Sequence, residues 1–195
     1  MATPHQIVSP QSNAVLIGLV QDSLVGGFLL TSQDTLYDES QVMQLLAQAR
    51  HDPKSKDYLQ MSMPSKGPGS GLWLDNLDTP AIIKPKRMWT GKQVMSALLP
   101  QQISFCKPVR NANADTLGIL KDDVVIVRNG LHLAGRLCKA TLGTSTAGFV
   151  QQIWKWGGPW AAAKFVSDAQ RLLVYCLTQN TICISIRDTV QTEET

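Results

Sequence analysis

The stretch that most constrains the fold runs from Val124 to Leu137, where Val124-Val125-Ile126-Val127-Arg128 meets Leu131 to Leu137 across Asn129-Gly130. A type I′ turn needs positive φ at both central residues, and asparagine and glycine tolerate it, so the spacing predicts a β-hairpin. Ile7-Val8, Ala81 to Ile83, Ile103 to Val109 and Ile182 to Ile186 read as further short strands, and Asn111 to Asp115 as a turn. Helices alternate with them. Glu39 to Arg50 carries Val42, Leu45, Leu46 and Ala49 at helical spacing, with Asp34 or Asp38 as its cap. Gln21-Asp22-Ser23 offers an N-cap to a short buried helix ending at Leu30, while Ala14 to Val20 reads as strand or buried helix. Leu142 to Gly148 is expected as a flexible loop capping a helix from Phe149 to Trp156. Gly157-Gly158 breaks that helix, and Pro159 opens another from Trp160 to Gln179, with Ala163, Val166, Ala169 or Gln170, Leu173 and Leu177 near one face. No repeat or coiled-coil heptad is evident, so the fold class is α+β: short strands and a hairpin packed with several helices in a single domain over residues 1–195. Within it, His51 to Leu72 changes to DPKSKDY and PSKGPGSG, the composition of a flexible insertion, after which Trp73, Leu74 and Leu77 re-anchor the chain.

Charge is distributed unevenly. The 195 residues are 44% hydrophobic and 17% charged, an ordinary globular balance with a net charge of +3. Met1 to Asp78 holds eight acids against Arg50, Lys54, Lys56 and Lys66, whereas Thr79 to Ala114 holds no acid at all. That second span carries Lys84, Lys86, Arg87, Lys92, Lys107 and Arg110. Four of these cations fall in TPAIIKPKRMWTGKQ (Thr79 to Gln93), where Thr90 can cap a helix running through Gln93 to Leu99, with Pro100 stopping it. The cations therefore surround a strand-to-helix turn. Such a field attracts phosphate-rich partners. The plainer reading is a solvated basic face with Trp89 as its core anchor.

Most catalytic templates are missing. The sequence has no D-x-D-x-D, no H-E-x-x-H and no G-x-S-x-G. Cys106, Cys138, Cys176 and Cys183 lie far apart without a C-x-x-C, which argues against zinc; their apolar neighbours suggest buried free thiols in a reducing compartment, with scattered disulfides as the alternative. His5, His51 and His132 stand alone, as surface or hairpin residues rather than catalytic bases. Gly143 to Gly148 lacks the Lys-Ser/Thr of a P-loop and reads as helix capping. Trp154, Trp156 and Trp160 can stack on bases, but tryptophans straddling a helix break more often anchor packing. The N-terminus shows no secretory signal, and the apolar runs are far short of a membrane span. Taken alone, the residues describe an anion-facing binding or scaffold domain.

IVSPQSN (Ile7 to Asn13), GLVQDSL with LLTSQDT (Gly18 to Thr35), PAIIKPKRMWTGKQ (Pro80 to Gln93), GRLCKATLGTSTAG (Gly135 to Gly148) and ISIRDTV (Ile184 to Val190) occur in an order that carries a resemblance. The chain is similar to the largest subunit of multisubunit DNA-directed RNA polymerases, in the wording of eukaryotic RNA polymerase II or a nucleocytoplasmic viral relative. The resemblance covers nearly the whole chain and implies the pore or third domain, beside the secondary channel. It implies a non-catalytic part of a nucleotidyltransferase. The loop of three aspartates that holds catalytic magnesium in that family has no counterpart in this sequence, so the resemblance implies a chain that binds no cofactor itself and is inactive alone, with magnesium expected in the full polymerase. It further implies Lys92 and Lys139 toward the channel, with Lys84, Lys86 and Arg87 as accompanying cations for nucleotides and RNA, and Gln21 and Asp22 near the active centre. The implied partners are the rest of the largest subunit, the other polymerase subunits, nucleotides, RNA and DNA. No membrane is implied, and the implied location is the nucleus, or a virion or viral factory. Two departures stand out: Ala140 where the family often has a second lysine, and Arg187 where it has glycine. The rival readings are a free-standing single-stranded nucleic-acid-binding module and a structural assembly domain.

Overall fold

The computed structural model describes residues 2–49, 79–109 and 122–180, with 182, 185 and 186. A 3-10 turn over Thr3–Gln6 opens the chain. Val8 and Val15 then meet in one antiparallel bridge across a turn in which Ser9 N–H donates to Ala14 O at 2.8 Å. The expected strand at Ile7-Val8 is thus a single bridge. Residues 14–20 form neither strand nor helix beyond Val15: with Leu16 N–H bound to Ile7 O and Leu19 N–H bound to Leu142 O, the segment runs between two other parts of the chain and buries Val15 and Leu19.

α1 (Asp22–Leu30) is the short helix that the apolar run implies. β1 (Leu36–Asp38) leads into α2 (Glu39–Ala49), whose buried residues are Val42, Leu45, Leu46 and Ala49, the four that helical spacing singles out. β1 pairs antiparallel with β2 (Met88–Thr90), so that Tyr37 faces Trp89 across the ladder and both are buried. The strand expected at residues 81–83 reduces to one bridge between Ile82 and Met88, because the chain reverses at once and pairs with itself. Thr90 then caps α3 (Gly91–Ser96) in a capping box: Gln93 N–H donates to Thr90 Oγ1 at 3.3 Å, and Thr90 N–H donates to Gln93 Oε1 at 3.0 Å.

β3 (Phe105–Pro108), β4 (Val124–Arg128) and β5 (Leu131–Ala134) form an antiparallel sheet in that order. Asn129 (φ 49°) and Gly130 (φ 75°) make the hairpin turn with the signs a type I′ turn requires. β5 stops at Ala134 rather than Leu137, since Gly135 turns at φ 93°. α4 (Lys139–Leu142) is a single turn, and α5 (Phe149–Gln179) closes the described body. Gly158 interrupts α5 with φ 76° and ψ −171°, so it comprises two helical segments, the second opened by Pro159. Its C-terminal segment buries Ala162, Phe165, Ala169, Leu172, Leu173 and Cys176. Of the expected face, Ala169 and Leu173 are buried, Ala163 and Val166 are partly buried against the core, and Leu177 gives way to Cys176, so the stripe is centred slightly to one side of it. The reason is that α5 packs against both α1 and α2, and the contact with α1 brings Leu173 backbone to Gly26, where an added Cβ would lie 2.3 Å from Leu173 O.

One core draws on the five helices and on β1 to β4, and Tyr37 of β1 meets Cys176 of α5 within it, Oη to Sγ 3.5 Å. The architecture is α+β, with five α-helices and two small antiparallel sheets among the described residues. The expected insertion at residues 51–72, the re-anchoring residues Trp73, Leu74 and Leu77, and the turn at 111–115 lie outside the described residues. Of the strand expected at 182–186, residues 182, 185 and 186 are described, and none is in a strand.

Candidate functional site

The basic run divides among three structural settings. Lys84, Lys86 and Arg87 are exposed on the turn between Ile82 and Met88. Lys86 forms an ion pair with the Asp38 carboxylate at the end of β1, solvated enough to contribute little to stability. Lys84 and Arg87 make no ion pair among the described residues.

Lys92 turns inward instead. As the second residue of α3 it places Nζ 2.5 Å from Asp122 Oδ2, with side-chain exposures of 17% and 5%. The other Asp122 oxygen accepts Gly135 N–H at 2.9 Å, and the Asp122 carbonyl accepts Arg136 N–H at 3.0 Å. One turn along α3, Ser96 Oγ donates to Lys92 O and accepts His132 N–H, both at 2.8 Å. Together these contacts fasten α3 to the hairpin. His132 is buried beside them, edge-on to Phe149 at 6.4 Å, and neither ring nitrogen has a hydrogen-bond partner. Burial, with the Lys92 cation adding to it, lowers its pKa from 6.5 to about 4, so the ring is neutral at pH 7.

Lys139, exposed, is the first residue of α4 and makes no ion pair among the described residues. Its short helix is fixed by local bonds: Cys138 N–H donates to Thr141 Oγ1 at 3.0 Å, and Gly143 N–H donates to Lys139 O at 3.0 Å. The segment before α1 lies against it. Leu19 N–H donates to Leu142 O at 3.2 Å, and a Cβ on Gly18 would fall 2.7 Å from the Gly143 carbonyl carbon. Gln21 (φ 50°) and Asp22, both exposed, follow within three residues of that contact and begin α1. The structure thus joins the segments bearing Lys139, Gln21 and Asp22, while the basic turn stands on another element and Lys92 is committed to Asp122.

Two participants carry no mark of their own in the sequence pattern. Nothing local distinguishes Asp122 as a partner for Lys92. Lys107 counts there as one more surface charge, yet its Nζ donates to Ala140 O at 2.7 Å and Thr146 O at 2.5 Å, and burial lowers its pKa. The alternation of residues 103–109 was the available signal, since it sets Phe105 and Lys107 on one face of β3. The same alternation puts Cys106 on the other face, where it is exposed, against the expectation of burial; Cys138 is half-buried and Cys176 buried. Trp154 packs against the core with Nε1 unpartnered, whereas Trp156 and Trp160 are 37% and 49% exposed. Among the described residues no three His, Cys, Asp or Glu side chains are grouped to hold a metal ion, and no helix is long and apolar enough to cross a membrane.

Residues 6–189 match the family described as RNA polymerase Rpb1, domain 3. The chain is also 30% identical, over 197 aligned residues, to DNA-directed RNA polymerase II subunits RPB1-A and RPB1-B of Trypanosoma brucei brucei. Each alignment takes in 100% of this chain and 10% of the relative, so the chain spans about a tenth of the length of those proteins. The order of motifs, the α+β architecture and this match across nearly every residue agree: the chain belongs to the Rpb1 domain 3 family of RNA polymerase largest subunits.

Proposed function

We propose that this chain serves as a non-catalytic domain of a DNA-directed RNA polymerase II largest subunit, lining the secondary channel beside the active centre and guiding nucleotides and RNA. Its partners are the remainder of the largest subunit, the other polymerase subunits, and the nucleic acids and nucleotides of transcription in the nucleus. On this reading the magnesium that nucleotidyl transfer uses is held by the remainder of the polymerase, and no step runs through it here.

The observation that carries this reading is the contact between the two motif segments, Leu19 N–H on Leu142 O, which unites exposed Lys139 with exposed Gln21 and Asp22. A cation unpaired among the described residues raises the local concentration of polyphosphate without reading bases. Lys84 and Arg87 extend the field on a second element, and Lys92 supports it by fixing α3. The test is Lys139→Met in the assembled polymerase. The apparent KM for nucleotides should rise severalfold with kcat nearly kept, and more at low salt than at high salt, because screening weakens the wild-type advantage. An unchanged KM at both salt concentrations overturns the proposal.

A second reading, the free-standing nucleic-acid-binding module, draws on exposed Trp156 and Trp160 beside Lys155. It requires the 195-residue chain alone to bind single-stranded RNA with a steep salt slope, lost on Trp156→Ala.

A further inference from the structure

We propose that Lys107 is a positioning residue whose ammonium braces the turn at residues 143–148 and thereby sets the orientation of Lys139. This rests on the reading of Lys139 as a phosphate-facing cation. Lys107 lies on β3, which is held in register by β4 through the Lys107–Val125 pair. From there Nζ reaches the carbonyls of Ala140 and Thr146, at 2.7 and 2.5 Å. The first acceptor lies in α4 and the second within the turn, so a single cation ties the turn to the helix that enters it. Ala140 is the residue after Lys139 in the one-turn helix α4, and whatever fixes its carbonyl fixes the base of the Lys139 side chain.

Four further contacts hold this turn or the start of α5 that follows it. Phe105, on the same face of β3, meets Phe149 edge-on at 4.9 Å where α5 begins. Ala147 N–H donates to Gln151 Oε1 at 2.5 Å, and Gln151 Nε2–H donates to Asn13 O at 2.8 Å. Gly18, before α1, abuts Gly143 and Thr144. A sequence of Gly, Ser and Thr expected to be a flexible loop is therefore held from β3, from α5 and from the segment before α1. Among the contacts that cross to it from β3 in the described residues only Lys107 supplies charge, and its ammonium, partly withdrawn from solvent, donates to two carbonyls. A fixed turn places the exposed cation without an ordering cost at each encounter with ligand.

The test has two arms. In the 195-residue chain, Lys107→Met should raise amide hydrogen exchange at residues 143–148 by tenfold or more while leaving β4 and α2 protected, and Lys107→Arg should restore protection. In wild type, the Lys107 ammonium should give a slowly exchanging NMR signal that Thr146-side perturbation shifts, a readout that needs no variant to fold. In the assembled polymerase, Lys107→Met should raise nucleotide KM severalfold, and the double variant with Lys139→Met should be no worse than Lys139→Met alone. Unchanged exchange, a rapidly exchanging ammonium, or additive KM effects each overturn the brace. If Lys139→Met leaves KM unchanged while exchange responds as expected, the proposed function fails and the brace stands.

Discussion

Removing the ammonium of Lys92 leaves the Asp122 carboxylate in a 5% exposed pocket with one backbone N–H for a partner. Lys92→Met should therefore cost about 3 kcal/mol of unfolding free energy by urea titration, and Asp122→Asn on top of it should add less than it does alone. The neighbouring His132 gives a pH dependence of definite sign. Its unfolded-state pKa is 6.5 and its folded value about 4, so between those values the unfolded chain binds the extra proton. Stability is complete above about pH 6.5 and falls as pH drops toward 4, by up to about 3 kcal/mol. The denaturant midpoint should shift accordingly between pH 7 and pH 5, and His132→Phe should flatten that slope. Lys92 and Asp122 are the charged groups that face the ring. The sequence displays Lys92 as a cation but not its use: the partner is 30 positions away, and no local period encodes that pairing.

Elements were legible where the signal is local. The hairpin turn, the Thr90 cap, the α2 stripe and the Gly158 break each follow from a few adjacent residues. The bridges at Val8 and Ile82 depend on what lies opposite, so propensity misassigns them, and spacing finds Ala169 and Leu173 of the buried α5 face but not Ala162, Phe165, Leu172 and Cys176. Two glycines separate steric from conformational demand at this scale. An added Cβ at Gly91 would sit 1.7 Å from Leu30 O, backbone against backbone, whereas at Gly158 nothing lies within 4 Å but φ is 76°. Gly91→Ala should cost about 3 kcal/mol as α3 is forced off α1. Gly158→Ala should cost about 1–2 kcal/mol through the backbone alone. Thermal unfolding of the two variants in parallel checks the order; equal losses would contradict it.

For the molecule as a whole, the class was legible because strand and helix signals are interspersed around one apolar set, and the observed core draws on every region described. The candidate site was legible in its parts and not in its assembly. Lys139 and Gln21 are separated by most of the chain, and the backbone bond from Leu19 to Leu142, with the close approach of Gly18 to Gly143, shows that their segments touch. That bond lies at one end of α1; at the other end Leu30 abuts Gly91, next to Lys92. α1 therefore acts as a ruler. Its nine residues span about 13 Å at the usual rise per residue, and they tie the Lys139 corner to α3 in parallel with the short run from Arg136, whose N–H binds Asp122 O, to Lys139. A one-residue insertion in α1 would lengthen the first route by about 1.5 Å and turn one end by about 100° relative to the other while the second kept its length, so the two routes would be strained against each other.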